Sequence, residues 1–286
     1  MISVEVTTDP QDFLARNEYL LLKEESLNNL KLGLADAAIK DPSSFTQPYF
    51  FTIYKNKEIV GQAVRSHSDR PLLVKGLYDE SALALMREVE RLRLNLVGVV
   101  GESQSADLFK ENWMTKYQCE LSLGMHQGIY ELEKVTLPKM NNGSFVIANE
   151  ASYTIINNFM LGFIKDCFPN DNQAKEKAKA LTERHIKNKT LFLWKNKEGE
   201  AVSMAAKNRE SRNAATISLV YTAESERGKG YGSIITALVS QRMLDEGKKM
   251  CNLYTDMANP VSNSIYQKIG YKKIGESKHY LFKERK

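Results

Sequence analysis

Residues 227 to 232 read Arg-Gly-Lys-Gly-Tyr-Gly, between the apolar run ISLVYT and the helix-like SIITALVSQRML. Three glycines in six residues make a poor helix start, since each costs roughly 1 kcal/mol against alanine inside a helix. They suit a different task. The first four amides of a helix lack an intrahelical partner, and the helix dipole adds partial positive charge at that end. Glycines let the chain turn tightly and let an oxyanion reach main-chain N–H groups without interference from a Cβ. Arg227 and Lys229 can add charge-assisted contacts. The spacing departs from a P-loop, GxxxxGK[ST], and a GxGxxG dinucleotide loop would need glycine where Ser233 stands. What remains is a cradle for a phosphate-bearing ligand.

Such a cradle needs a strand ahead of it and a helix behind it. The pattern after residue 143 predicts both. FVIAN reads as a short strand, followed by helices near 150–166 and 172–187, separated by Pro169 and Asn170. TLFLWKN and AVSMAAKN, joined by the turn-like NKEGE, read as an antiparallel hairpin. AATISLVYT is a third strand, SIITALVSQRMLDEG a helix closed by Gly247, and MCNLYTD a further strand. NPVSNSIYQKIG forms a short helix ending at Gly270, and YKKIGESKHYLF a closing pair of strand segments. This order implies a mixed sheet with helices on its faces.

The first half echoes that order. Helices at 11–18 and 20–39 lead into the hairpin YFFTIYKN/EIVGQAVRS, then PLLVKGL, the helix SALALMREVERL, the strand LVGVVGE, the helix SADLFKENWMTKY and the closing CELSLGMHQGIYELE. Pro138 and the Asn141-Asn142-Gly143 turn signal put the boundary near residue 139. Two domains, 1–138 and 139–286, follow. The first lacks the glycine turn: LVKGLYDESALALM has one glycine and acidic Asp79 and Glu80 at the helix start, which would repel phosphate.

Arg227-Gly228-Lys229-Gly230-Tyr231-Gly232 resembles the acetyl-CoA signature [Q/R]-x-x-G-x-[G/A] of the GNAT N-acetyltransferases at every defined position. LYTDMANPVSNSIYQKIGYKKIGE resembles the strand, helix and GF/GY turn of the same family, and the resemblance covers roughly 144 to 283. It implies the acyl-CoA N-acyltransferase fold, α/β with a mixed, mostly antiparallel twisted sheet flanked by helices. Here the fold would occur as two tandem copies, the N-terminal one degenerate.

The resemblance also implies roles. Main-chain groups of Val220, Tyr221 and Thr222 would pair with the pantetheine arm of acetyl-CoA, which requires two neighbouring strands to splay apart. Amides from Gly228 to Ser233, the segment that includes Lys229, Gly230, Tyr231 and Gly232, would hold the pyrophosphate, with Arg227 just before it. Asn259 and Asn263 would hydrogen-bond the co-substrate. Tyr266 would protonate the departing thiolate. A residue-level reading gives Tyr266 a second role as a buried aromatic, and Asn259 a second role as an N-cap before Pro260. Glu224, Glu226 and Asp256 compete as the base, with Glu224 preferred.

The implied reaction moves an acetyl group from acetyl-CoA to a primary amine on a small molecule or peptide. A non-catalytic acetyl-CoA sensor or scaffold is the alternative. The chain of 286 residues has a formal net charge of +5, no block of five or six like charges (although clusters such as AKEKAKA and the tail KERK occur) and no recognisable nucleic-acid reader. Nothing approaches a membrane span or a secretory signal. A cytoplasmic monomer or homodimer is expected. Cys119, Cys167 and Cys251 are far apart, and His67, His126, His185 and His279 lack ligand spacing, so no metal site is expected. Cys251 reads as core, His185 as surface, and Trp113 and Trp194 as core or substrate wall.

Overall fold

The computed structural model describes residues 1–283; the last three residues of the basic tail lie outside the described residues. In chain order the elements are β1 (Ile2–Thr7), α1 (Pro10–Lys23), α2 (Glu25–Lys40), β2 (Tyr49–Lys55), β3 (Glu58–Arg65), β4 (Leu72–Lys75), α3 (Asp79–Arg91), β5 (Gly98–Glu102), α4 (Ser103–Tyr117) and β6 (Leu121–Leu132). The same order then repeats: β7 (Gly143–Ile147), α5 (Tyr153–Cys167), α6 (Ala174–Asn188), β8 (Leu191–Asn196), β9 (Ala201–Glu210), β10 (Ala214–Thr222), α7 (Tyr231–Asp245), β11 (Met250–Asp256), α8 (Pro260–Lys268) and β12 (Lys272–Phe282). Among the described residues no helix is long and apolar enough to cross a membrane.

The duplication expected from element order is present, with two differences. The alternating ISVEVT is a strand, β1, antiparallel to β2. The closing segment 272–282 is one uninterrupted strand rather than a pair. The chain also divides differently from a single cut near 139. Unit 1 comprises Met1–Ile129, Thr255–Ala258 and the chain from Ile274 onward, and unit 2 comprises Tyr130–Tyr254 and Asn259–Lys273. The reason lies in strand pairing: β12 runs antiparallel to β5, with Tyr280 opposite Val99. A local pattern declares a strand but leaves its partner open.

Within unit 2, β7, β8, β9 and β10 pair antiparallel in sequence, and β10 pairs β11 in parallel. Side chains alternate across the sheet. On β8, Leu191 and Leu193 join the cluster under α5 and α6, with Ile156, Met160 and Ala178. Phe192 and Trp194 join the opposite cluster under α7 and α8, with Ile234, Ile235, Val239 and Tyr266. Full burial of each large apolar side chain contributes about 1.5–3 kcal/mol. Trp194 is therefore core.

Unit 1 has the same two layers. Phe51, Leu72 and Val74 pack with Leu85, Val89 and Phe109 on the α3/α4 face, whereas Phe50 and Leu73 pack with Phe13, Leu21 and Leu32 on the α1/α2 face. Trp113 stacks on Phe282, ring centroids 5.2 Å apart, at the margin of the first of these clusters.

Two single residues complete the comparison with the sequence. Cys251 is fully buried, its thiol donates to the Ser240 carbonyl, and burial pushes that thiol up to about 12. His185, expected at the surface, is 2% exposed. Its Nδ1 lies 2.7 Å from Thr190 Oγ1 at the end of α6, where the chain turns through Lys189 (φ 54°) into β8. The charged neighbours on α6 disguise a buried position.

Candidate functional site

The site is built around an opening beside β10. In unit 2 the parallel ladder to β11 runs from Ala214↔Met250 to Thr216↔Asn252 and stops, although β10 continues to Thr222. On its other edge β10 stays paired with β9 as far as Thr222↔Ser203. The break coincides with a first shift of the β10–β9 register between Thr216 and Ile217, and a second follows between Ser218 and Tyr221, where Leu219 takes φ 55°. A bulky residue in the left-handed region is strained and persists only where surrounding structure enforces it. A bulge of this kind bends the strand and re-aims its groups. Val220, Tyr221 and Thr222 thus follow the bulge on the stretch of β10 that has left β11.

The chain then makes a short 3-10 turn, Glu224–Glu226, and enters the glycine turn. Gly228 and Gly230 adopt φ 80° and 84°, the left-handed region, with no atom within 4 Å of a built Cβ. Gly230 is the N-cap of α7 and supplies no side-chain cap, and the first helical bond runs from Ile234 N to Gly230 O. The amides of Tyr231, Gly232 and Ser233 therefore open the helix without a capping side chain. Gly232 differs from the other two: its backbone is helical, and a Cβ there would sit 3.5 Å from Thr222 Oγ1, an ordinary contact. The turn is held from outside by Asn141 Nδ2, which donates to Lys229 O at 2.9 Å.

Both cations of the turn already have carboxylate partners. Arg227 Nη2 lies 2.6 Å from Asp166 Oδ2 at the end of α5, while its Nε donates to Thr222 O at 3.2 Å. Its guanidinium also sits over the Tyr221 ring, 5.3 Å from the centroid. Lys229 Nζ is 3.0 Å from Glu226 Oε2. Exposed pairs of this kind contribute at most about 1 kcal/mol each.

Three α5 residues escaped the sequence reading. Phe159, Gly162 and Asp166 fall on one helical face at i, i+3, i+7 spacing. Phe159 meets the Tyr221 ring at 5.6 Å, and a Cβ at Gly162 would come within 2.3 Å of Tyr221 Oη. Glycine at 162 is thus required by the seat of Tyr221. The spacing was visible in the sequence; its partner on β10 was not.

Tyr266 on α8 is 8% exposed and packs in the cluster that also receives Val220 and Tyr231. Its ring stands edge-on to Tyr271 at 6.2 Å. Burial raises its phenol to about 12, the nearby Cys167 thiol adds to the rise, and a hydrogen bond with Ser262 opposes it. The phenol therefore stays protonated at neutral pH. Asn259 is the N-cap of α8, its Oδ1 accepting from Ser262 N at 3.0 Å, and Asn263 N donates to Asn259 O in the first turn. Glu224 is exposed at the start of its turn, and Glu226 is the partner of Lys229. The Asp256 carboxylate, in unit 1, accepts from Ala258 N at 2.8 Å.

Comparison with known proteins agrees with this architecture. Residues 197–281, which include the glycine turn and α8, match the family model of FR47-like proteins. No curated protein matches this chain in sequence. Among solved structures, a GCN5-related N-acetyltransferase from Sphaerobacter thermophilus is similar at 13% identity, with TM-score 0.61 over 98% of this chain and 95% of its own. A GNAT-family acetyltransferase from Colwellia psychrerythraea shares 13% identity, with TM-score 0.54 over 98% of this chain and 100% of its own. A tandem GNAT protein from the clavulanic acid biosynthesis pathway covers both chains completely at 9% identity and TM-score 0.55. Two copies of one element order, spanned end to end by such a neighbour, give this chain two tandem copies of the fold seen in GNAT acetyltransferases, and residues 197–281 match the FR47-like family model.

Proposed function

We propose that unit 2 transfers an acetyl group from acetyl-CoA to a primary amine. The observation that carries this reading is the parting of β10 from β11 beside the bulge at Leu219, next to a glycine turn with uncapped amides. The parted edge of β10 at Val220, Tyr221 and Thr222 suits an amide-bearing arm laid alongside it like an added strand. The amides from Gly228 to Ser233 suit the pyrophosphate, and the partial charge of α7 favours it there.

In the reaction the amine nitrogen attacks the thioester carbonyl, forming the C–N bond as the C–S bond breaks. Main-chain N–H groups at 220–222 stabilise the oxyanion. Tyr266 gives its proton to the departing thiolate, a role supported by a phenol held protonated at neutral pH. The proton lost by the amine goes to a carboxylate. Glu224 is our choice, since Glu226 is engaged with Lys229 and Asp256 with Ala258 N. Asn263, in the first turn of α8, is assigned to the co-substrate, and Asn259 acts there by capping that helix.

Free-thiol release from acetyl-CoA with polyamine, aminoglycoside and peptide amines tests the reading. Wild type is expected to release thiol with one class. Tyr266→Phe is expected to lose turnover while retaining CoA binding. Equal rates would remove Tyr266 from the mechanism. CoA binding without release on any amine would leave a non-catalytic acetyl-CoA-binding module.

A further inference from the structure

Unit 1 possesses the same strand-to-helix turn, where β4 hands over to α3, and there the chain fills it with its own side chains. Gly76 N donates to Glu102 Oε2 at 3.1 Å, Leu77 N to Ser105 Oγ at 2.9 Å, and Tyr78 N to Ser81 Oγ at 2.8 Å. Ser105 Oγ in turn donates to the same Glu102 oxygen at 2.7 Å. Ser81 and Ser105 are fully buried. Three successive amides that could face an anion therefore have internal acceptors, and the acceptor for the first, Gly76, is a carboxylate.

The strand seam differs in the same sense. The β4–β5 ladder runs from Leu72↔Val99 to Val74↔Gly101, one residue from the end of β4 at Lys75. A Cβ at Gly101 would lie 1.9 Å from Val74 O, so glycine there lets the two strands stay closed. In unit 2 the corresponding seam opens at Thr216, well before β10 ends. The surrounding charge is also internal. Lys75 pairs with Glu24 at 2.7 Å, and Lys31, buried on α2, lies in the field of Lys75, Glu102 and Glu24.

We propose that Glu102 is a built-in anion occupying the turn of unit 1, completed by Ser105 and Ser81, so that the chain takes one acyl-CoA and takes it in unit 2. The count of one rests on the reading of unit 2 given above; the occupancy by Glu102 does not.

The test uses the full isotope-labelled chain titrated with inorganic phosphate and read at individual amide resonances. In wild type and in Glu102→Gln, which keeps an acceptor oxygen, Gly76 and Leu77 are expected to stay still. In Glu102→Ala, Gly76 is expected to shift saturably. Should that variant fail to fold, Ser105→Ala frees the Leu77 amide and is read there in the same way. Movement in wild type, or none in folded Glu102→Ala or Ser105→Ala, overturns the proposal. Calorimetry with CoA then gives the count: one per chain for wild type and none for Gly230→Asp. Two per chain in wild type, or one surviving in Gly230→Asp, overturns the single site. If wild type binds no CoA, the reading of unit 2 fails, while the phosphate titration still judges Glu102.

Discussion

Asp166 Oδ2 lies 2.6 Å from Arg227 Nη2, so the arginine of the glycine turn is already paired with a carboxylate of α5. The pair competes with any phosphate that approaches Arg227. Asp166→Asn removes a like charge from the ligand's neighbourhood and frees the guanidinium. CoA should bind about two- to fivefold tighter at low salt, the range of one exposed charge pair. The gain should vanish near 0.5 M salt, where screening shortens the reach of exposed charges. Weaker binding in Asp166→Asn would mean instead that the pair holds Arg227 in its working position.

Tyr266 sets an alkaline limit. Its phenol is raised by burial from 10 to about 12, with a contribution from Cys167. Between those values the unfolded chain loses this proton and the folded chain keeps it, so stability falls as pH rises through the interval. Below pH 10 both states are protonated and the residue contributes no slope. Tyr266→Phe should therefore flatten part of the stability loss above pH 10 and leave neutral pH unchanged. For wild-type thiol release, no decline assignable to Tyr266 is expected up to pH 10. Denaturant midpoints measured from pH 7 to 11 on both proteins give the comparison.

The expected glycine turn and most elements were legible because they are local. LFLW alternates cleanly between two faces, and ISLVYT followed by RGKGYG names a strand, a turn and a helix start. What stayed hidden is pairing across distance. Nothing in YKKIGESKHYLF announces that Tyr280 will lie opposite Val99, which is why a single cut near 139 differs from the observed division. Nothing near Gly162 announces the Tyr221 ring. ISVEVT alternates like a strand, yet its charged and polar positions hid it. Asn259 carried two readings in the sequence, and its side chain is seen capping α8.

The glycines of the turn should separate by backbone demand. Gly228 and Gly230 sit at φ 80° and 84°, where a side chain is strained whatever the space. Alanine at either should cost about 1 kcal/mol or more and crowd the amides an anion would use. Gly232 is helical with room for a methyl group, so Gly232→Ala should keep CoA affinity and gain up to about 1 kcal/mol of helix stability. Thermal melts with and without CoA measure both quantities. A loss of affinity in Gly232→Ala matching that of Gly230→Ala would show that the ligand contacts the turn differently.

His185 should govern part of the acid response of unit 2. Burial, with the charge of Arg184 second, lowers its pKa from 6.5 to about 4. Between those values the unfolded chain takes up a proton that the folded chain refuses. The stabilisation is therefore complete above pH 6.5 and is lost as pH falls toward 4. His185→Gln keeps a hydrogen-bonding side chain at the end of α6, opposite Thr190, and removes the titration. It should have a shallower stability loss between pH 6.5 and 4 than wild type, even if it is less stable at neutral pH. Chemical denaturation at half-unit pH steps reads the slope, and identical slopes in the two proteins would assign the acid sensitivity to other groups.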